Sequence, residues 1–499
     1  MTTSGRPLIV ASNRGPVTFE RGEDGLVSPR RGAGGLVTAL QGALQEARGL
    51  WVAAAMSEGD REMVASSDGG RVDMDAFGGD YRVRYLDVPP DVFDGYYNRI
   101  SNGVLWFAHH YLWDTVRSPA FGDDVAEAWK HYVEVNRRFA RALAEEGERA
   151  GEEPAYLVQD YHLALVPRFL RELRPQALIA HFSHTSIAGP TYMRMLPAEI
   201  HDQLLLGMLG ADVLGFHSQT WAENFMLSAR QLPGARVDLG RSRILSGGRD
   251  VAVRTHPISV DARAMREAAS TEEVRGIRRD LARWRSDARL ILRVDRLELT
   301  KNIIRGFHAY EMLLKREPSW RGRVRFLALL SPSRGDVPEY QEYGEAALAE
   351  AERINDELSE DDWSPIELRV KDDYLGALAA YGLYDVLFVN PVIDGMNLVA
   401  MEGPVLNRRQ GVLVLSRNAG AFGRLGRYAV PVNPFDLGEM CDALKAALEM
   451  PYDERARRAR GLSRLVLSNP PSRWVREQLD DLERALRRRS ESTARAPAS

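Results

Sequence analysis

Two cations stand five residues apart in the run Asp295-Arg296-Leu297-Glu298-Leu299-Thr300-Lys301-Asn302, directly after the apolar stretch Leu290–Val294. Arg296 and Lys301 at a strand end and near a helix start are placed to hold a diphosphate. They would neutralise the charge that develops as such a group departs, without calling on a metal. The competing reading is a strand-end ion-pair network, since Asp295 and Glu298 are interleaved with them. Only five of the 66 cationic residues are lysines, which makes Lys301 more informative than an arginine would be. A second segment, Asp394-Gly395-Met396-Asn397-Leu398, follows Val386–Val389. An Asp-Gly turn that opens a helix offers its first N–H groups to a phosphate, and Glu402 lies one to two turns further on, in reach of both ribose hydroxyls.

Four more polar residues follow apolar runs. Arg14 comes after Leu8–Ala11 and either clamps a phosphate or sits in a surface turn. Asp160 follows Ala155–Val158 and either accepts from sugar hydroxyls, or acts as a base, or caps a helix. His184 follows Leu178–Phe182 and either touches a substrate hydroxyl or is a satisfied core histidine. Arg334 follows Val324–Leu330. Gly34-Gly35, ahead of Val37, Leu40 and Leu44 at helical spacing, either lets backbone approach a phosphate or makes a turn; it is neither a G-x-G-x-x-G fingerprint nor a P-loop.

Short apolar runs alternating with helical periodicity position these residues, and this pattern predicts an α/β fold with parallel sheets. A second strand series comprises Leu290–Val294, Val324–Leu330, Ile366–Val370, Val386–Val389 and Val412–Leu415. It is separated from the first by the charge-dense, helical stretch Asp261–Ala288. The expected organisation is two Rossmann-like domains, 1–258 and 259–468, then a helix over 469–486 and a disordered tail over 487–499. Ligands bind beyond the carboxyl ends of such strands, so a cleft between the two domains is expected.

Composition narrows the function class. The 499 residues are 44% hydrophobic and 27% charged with a net charge of −4, which offers no global field for nucleic acid or an anionic membrane. No apolar run approaches the roughly 18 residues of a membrane span. The single cysteine, Cys441, excludes an internal disulfide and a cysteine-cluster metal site. The start MTTSGRPLIVASNR has a short apolar stretch and no cleavage signature, so no secretory leader and a cytoplasmic location are expected.

The segments SNRGP, AGGL, YYNRISNGVLW, QDYHL, VDRLELTKN, SPSRGDVPEY and DGMNLVAMEGP together resemble, in order and spacing, the trehalose-6-phosphate synthase family of retaining glycosyltransferases. The resemblance spans about residue 7 to residue 485. It implies the GT-B arrangement of two Rossmann-like domains facing each other across a cleft, with Ser472–Leu486 forming a helix that crosses back to the first domain. It implies that Arg296 and Lys301 bind the diphosphate of a UDP- or GDP-glucose donor, with Gly35 adding backbone contacts. Asp394, Gly395, Met396, Asn397 and Leu398 would hold the transferred glucose and phosphate, Glu402 the ribose, and His184 the donor sugar. Arg14, Tyr97, Trp106, Asp160 and Arg334 would surround the acceptor, glucose 6-phosphate, with Arg14 and Arg334 on its phosphate. No metal or other cofactor is implied, and a homo-oligomer is as compatible with the resemblance as a monomer.

The chain departs from the family pattern at four places. His184-Thr185-Ser186-Ile187-Ala188 stands where His-Ile-Pro-Phe-Pro is usual. Ala54 stands for a tryptophan, Met401 for a lysine and Ser259 for a glycine. Three other readings therefore accompany the expected synthase: a same-fold enzyme using glycerol 3-phosphate as acceptor, one coupling a nucleotide-cyclitol to an aminocyclitol phosphate, and a catalytically silent regulatory homologue.

Overall fold

The computed structural model describes residues 5–22, 27–31, 37, 40–42, 44, 49–77, 79–335, 337–360 and 362–495. The chain divides into two compact units, Met1–Ile258 with Pro471–Ser499, and Ser259–Pro470.

The first unit is built on strands β1 (Leu8–Ala11), β2 (Val17–Arg21), β3 (Val27–Arg31), β4 (Leu50–Ala54), β5 (Arg71–Asp73), β6 (Arg82–Leu86), β7 (Ala155–Gln159), β8 (Leu178–Ser183), β9 (Val213–Phe216), β10 (Arg236–Asp238), β11 (Arg243–Ser246) and β12 (Arg249–Thr255). β2 and β3 form a separate antiparallel hairpin. The main sheet runs β10-β11-β12-β9-β8-β7-β1-β4-β6-β5. It is parallel from β12 to β6, with antiparallel strands only at its edges. β1, β4, β7, β8 and β9 are buried along their whole length, as parallel strands covered on both faces must be, and this is why they read as unbroken apolar runs.

The second unit carries β13 (Arg289–Arg296), β14 (Val324–Ser331), β15 (Ile366–Val370), β16 (Val386–Val389), β17 (Val412–Ser416) and β18 (Val430–Val432). Its sheet order is β15-β14-β13-β16-β17-β18, all parallel. Numbered within the unit this is 3-2-1-4-5-6, the order of doubly wound nucleotide-binding folds. In the first sheet the parallel strands β6-β4-β1-β7-β8-β9 have the same order, with β12 added in parallel beyond β9. Each unit therefore has one topological switch point, between β1 and β7 in the first and between β13 and β16 in the second. Ligands collect outside the carboxyl ends of the strands that flank such a point.

The two sheets are stapled alike at their amino edges. Asp212, just before β9, and Asp385, just before β16, are both buried, and each carboxylate accepts from a backbone N–H of the neighbouring strand, Ile179 at 2.9 Å and Leu290 at 3.0 Å. Arg171 and Arg249 close on Asp212 at 2.8 and 2.7 Å, and Arg289 and Arg455 on Asp385 at 2.8 and 3.1 Å. A buried carboxylate is tolerable only with such pairing.

The helix Pro471–Arg495 packs on β8 and β9. Trp474 meets Phe182 with ring centroids 4.9 Å apart, and Asp481 binds His256 at 2.7 Å and Arg254 at 3.0 Å. The expectation of disorder from residue 487 is corrected over 487–495, which continue this helix; residues 496–499 lie outside the described residues. The extension has a tertiary cause. Arg489 donates to the Ala177 carbonyl at 3.3 Å and to Gln176 at 2.5 Å, so charged residues without apolar periodicity are still held to the sheet edge.

Candidate functional site

At the first switch point, β1 delivers the loop Ser12–Pro16. Ser12 Oγ donates to the Arg14 carbonyl at 2.6 Å and accepts from Trp51 Nε1 at 2.7 Å, while Tyr96 Oη donates to Asn13 Oδ1 at 2.8 Å. The loop backbone is thus fixed while the Arg14 side chain stays exposed. Its guanidinium donates to Tyr97 Oη at 3.0 Å. Tyr97 lies in Gly95–Leu105, an eleven-residue π-helical stretch, a form costly enough that it gathers at functional positions. Tyr97 stacks on His162 at 5.8 Å, the His162 and Tyr161 rings are tilted with centroids 4.0 Å apart, and Tyr161 lies 6.1 Å from the buried ring of Trp106. Arg14, Tyr97 and Trp106, far apart in sequence, are joined by this aromatic row.

Asp160, at the end of β7, adopts φ +71° and its carboxylate accepts the His184 backbone N–H at 3.1 Å. It begins the short helix Tyr161–Leu163 without a side-chain capping bond, so the capping reading of Asp160 does not hold. His184, beyond β8, is largely buried with both ring nitrogens engaged. Nε2 is 3.0 Å from Gln159 Oε1 and Nδ1 is 3.2 Å from His217 Nε2, while His217 Nδ1 accepts from the Ile258 N–H at 3.4 Å. A backbone donor at one end fixes every tautomer in this chain of bonds. His217 donates through Nε2, and His184 passes a donor on to Gln159. Burial, then His217 and His181, push His184 well below the ordinary imidazole range, so the ring is neutral. To touch a sugar it must exchange one of these bonds.

The segment Thr185–Ala188 is buried, and Ser186 Oγ donates to the His109 carbonyl at 2.7 Å. Ala54, fully buried at the end of β4, donates its N–H to the Asn13 carbonyl at 3.1 Å. A small methyl group therefore stands one residue from Arg14 in the pairing, where the resemblance leads one to expect an indole.

At the second switch point, β13 ends at Arg296 and the loop after β16 carries Asp394. Lys301 Nζ donates to Asp394 Oδ2 at 2.6 Å, so the two segments singled out by their chemistry meet across β13 and β16. Asp394 also accepts from Asn397 Nδ2 at 3.1 Å, and Asn397, at φ +72°, accepts the Ala400 N–H at 3.2 Å. The turn is pressed against Gly420, where an added Cβ would lie 2.0 Å from the Gly395 carbonyl oxygen; any side chain at 420 would displace it.

Beneath the cations lies Glu298, fully buried. Its Oε1 accepts from Thr300 Oγ1 at 2.9 Å and Arg296 Nη2 at 3.1 Å, with Lys301 Nζ 3.6 Å away, and its Oε2 accepts from Arg334 Nη1 at 2.9 Å. Burial pushes this carboxyl up, but Arg296, Lys301 and Arg334 outweigh it and hold it at about 2. Lys301 is likewise held charged: burial favours the neutral amine, and Asp394 and Glu298 overcome it. Asp295, buried beside the fully buried Arg293 at 3.1 Å, is pushed up by desolvation to about 6. Arg334 adopts φ +42° and also reaches Tyr340 Oη at 3.0 Å.

Glu402, on the helix Val399–Leu406, accepts from Tyr381 Oη at 2.7 Å through Oε2. Its Oε1 makes no hydrogen bond among the described residues. Burial raises its pKa and the Tyr381 hydroxyl opposes the rise. Met401, where the resemblance leads one to expect a lysine, is buried beside it. Met396, Asn397 and Leu398 lie in the turn and the entry to this helix, whereas Gly35 lies outside the described residues.

Glu298, Gln159, His217 and Tyr381 were not singled out from sequence as site residues. His217 follows an apolar strand as His184 does, so the strand-end rule would have found it. Glu298 appeared there only as half of a competing ion-pair reading. Tyr381 gives no local signal.

Two doubly wound parallel units, one with a cation cluster at its switch point and the other with an arginine and aromatic row at its own, define the GT-B class of glycosyltransferases. The profile of glycosyltransferase family 20 matches residues 6–484, and the chain belongs to that family and is a hexosyltransferase. It is 36% identical over 489 residues to a trehalose-6-phosphate synthase of Mycolicibacterium smegmatis, covering 95% of this chain and 92% of that protein. It is 32% identical over 493 residues to a validamine 7-phosphate valienyltransferase of Streptomyces hygroscopicus subsp. jinggangensis, covering 96% and 95%. Its fold is similar to that of a UDP-forming alpha,alpha-trehalose-phosphate synthase from Burkholderia xenovorans, solved in complex with glucose-6-phosphate, with TM-score 0.81, 28% identity and 96% and 100% coverage. Among the described residues no helix is long and apolar enough to cross a membrane.

Proposed function

We propose that this chain transfers glucose from a nucleotide-glucose, UDP-glucose before GDP-glucose, to glucose 6-phosphate, giving α,α-trehalose 6-phosphate with retention at the donor carbon. The observation that carries the donor half is the meeting of Lys301 with Asp394 across β13 and β16, with Arg296 and Arg334 gathered on Glu298. In this reading the diphosphate takes up the charge of Arg296 and Lys301. Asp394 and its turn hold the hexose, and the outward oxygen of Glu402 accepts from the ribose. Arg14, Tyr97, Trp106 and Asp160 receive the acceptor, with Arg334 as the residue of the second unit assigned to its phosphate. The bond from the hexose C1 to the diphosphate oxygen breaks while the acceptor hydroxyl oxygen bonds C1 on the same face, and the hydroxyl proton passes to the departing phosphate. The leaving charge is met by preformed cations, so we expect turnover to persist in a chelator.

A second reading, an aminocyclitol phosphate as acceptor, is favoured by Ala54 beside Asn13 and by the altered Thr185–Ala188 segment, and fits the similarity to a valienyltransferase. The test offers UDP-glucose and GDP-glucose, each with glucose 6-phosphate, and follows nucleotide release and product mass. A disaccharide phosphate is expected. Donor binding without it would overturn the proposed acceptor and turn attention to those two positions.

A further inference from the structure

A cavity of about 860 Å³ opens in the first unit, between the helices Asp123–Arg149, Val166–Leu173 and Ala198–Met208. This volume lies within the range of small-molecule sites. Its apolar side is formed by Trp129, Leu165 and Phe169. Its rim carries five cations, Lys130, Arg137, Arg138, Arg141 and Arg168, against only two carboxylates, Glu134 and Glu199, in a chain whose net charge is −4. Both carboxylates are already occupied, Glu134 by Arg138 at 2.6 Å and Glu199 by the amide of Gln203 at 2.9 Å. Lys130 and Arg168 have partners outside the cavity, in Glu127 and Glu172. Arg137 and Arg141, four residues apart and so on one helix face, have no carboxylate within 4.0 Å among the described residues. Arg137 is instead spread over the Phe169 ring at 5.1 Å, which leaves its N–H edge available.

We infer that this cavity binds a phosphorylated small molecule with a flat or apolar body, its phosphate on Arg137 and Arg141, and that its occupancy alters the residues around Tyr161. Paired guanidiniums suit a phosphate, whose several oxygens can accept from both forks, and Trp129 with Phe169 offers the body an aromatic surface. The coupling has a physical route. Trp129 stacks on Tyr132 at 4.8 Å, and Tyr132 Oη donates to the Tyr161 carbonyl at 2.5 Å. Asn136, one turn further along the same helix, donates to the His162 carbonyl at 3.1 Å and accepts the Leu165 N–H at 3.1 Å. The helix that lines the cavity therefore holds the segment that supplies Tyr161 and His162 to the aromatic row. The effect on that row rests on its proposed role as the acceptor site; the binding does not.

The test titrates the full-length chain with phenyl phosphate and with inorganic pyrophosphate by calorimetry in saturating UDP, and repeats it on Arg137→Ala/Arg141→Ala. Both side chains are exposed, so the variant is expected to fold, as checked by its melting temperature. One binding event per chain is expected for the wild type, weakened at least tenfold in the double variant, with an unchanged response in Arg14→Ala. No saturable binding, or equal affinity in wild type and double variant, overturns the site. A ligand that binds as expected but leaves the acceptor KM within 20% overturns the coupling alone, and because the binding arm reads heat it stands even if the acceptor is misassigned.

Discussion

Removing the charge of Glu298 is the most informative single perturbation of the second unit. The side chain is fully buried, bonded to Thr300 and to two guanidiniums, and close to Lys301. It titrates at about 2 instead of its ordinary 4.5, which corresponds to about 3 kcal/mol of stability at neutral pH. Because the folded value is depressed, that stability is present above the ordinary value and is lost as pH falls from 4.5 through 2. Glu298→Gln keeps the shape and removes the charge, leaving Arg296, Lys301 and Arg334 to repel one another. For a unit of this size about 3 kcal/mol lowers the melting temperature by roughly 6–12 °C. Calorimetry at pH 7 should show this drop in one transition, and the gap between variant and wild type should narrow in saturating UDP, whose diphosphate supplies the missing negative charge. A variant melting within 2 °C of wild type, or a gap untouched by nucleotide, would refute the view of Glu298 as the carboxylate that organises these cations.

Lys301→Ala should lower turnover by about two to three orders of magnitude, the scale of one lost preorganised donor; activity within threefold of wild type would move the leaving-group site elsewhere. Arg14→Ala should raise the acceptor KM about tenfold or more, as loss of one charge-assisted contact does, with donor affinity measured by calorimetry unchanged. Glu402→Gln should weaken UDP binding by roughly tenfold, and equal affinity would show that Oε1 does not meet the ribose.

The core strands were legible because parallel strands buried on both faces leave continuous apolar runs. Leu8–Ala11 and Val386–Val389 occur as read and are buried throughout. The edge strands β5, β10 and β11 were not, since half-exposed strands such as Arg71–Asp73 and Arg236–Asp238 carry charges that break the signal. Looking at residues just after apolar runs singled out Arg14, Asp160, His184, Arg296 and Asp394, and each lies at or just beyond the carboxyl end of its strand. It could not find partners defined by tertiary contact. Tyr381 meets Glu402 across 21 residues, and Glu298 meets Arg334 across 36. The continuation of the last helix through Arg495 was also hidden, because Arg489 is held by partners about 310 residues away. Gly35 lies outside the described residues.

The central claim is transfer of a hexosyl group with retention from a nucleotide sugar to a phosphorylated sugar. It is tested most directly by proton NMR of the product formed from UDP-glucose labelled with ¹³C at C1 and unlabelled glucose 6-phosphate. The expected product has a labelled anomeric centre joined to the unlabelled one, with the small coupling of an α linkage at both. A labelled β linkage, or release of free labelled glucose with no disaccharide phosphate, would contradict it.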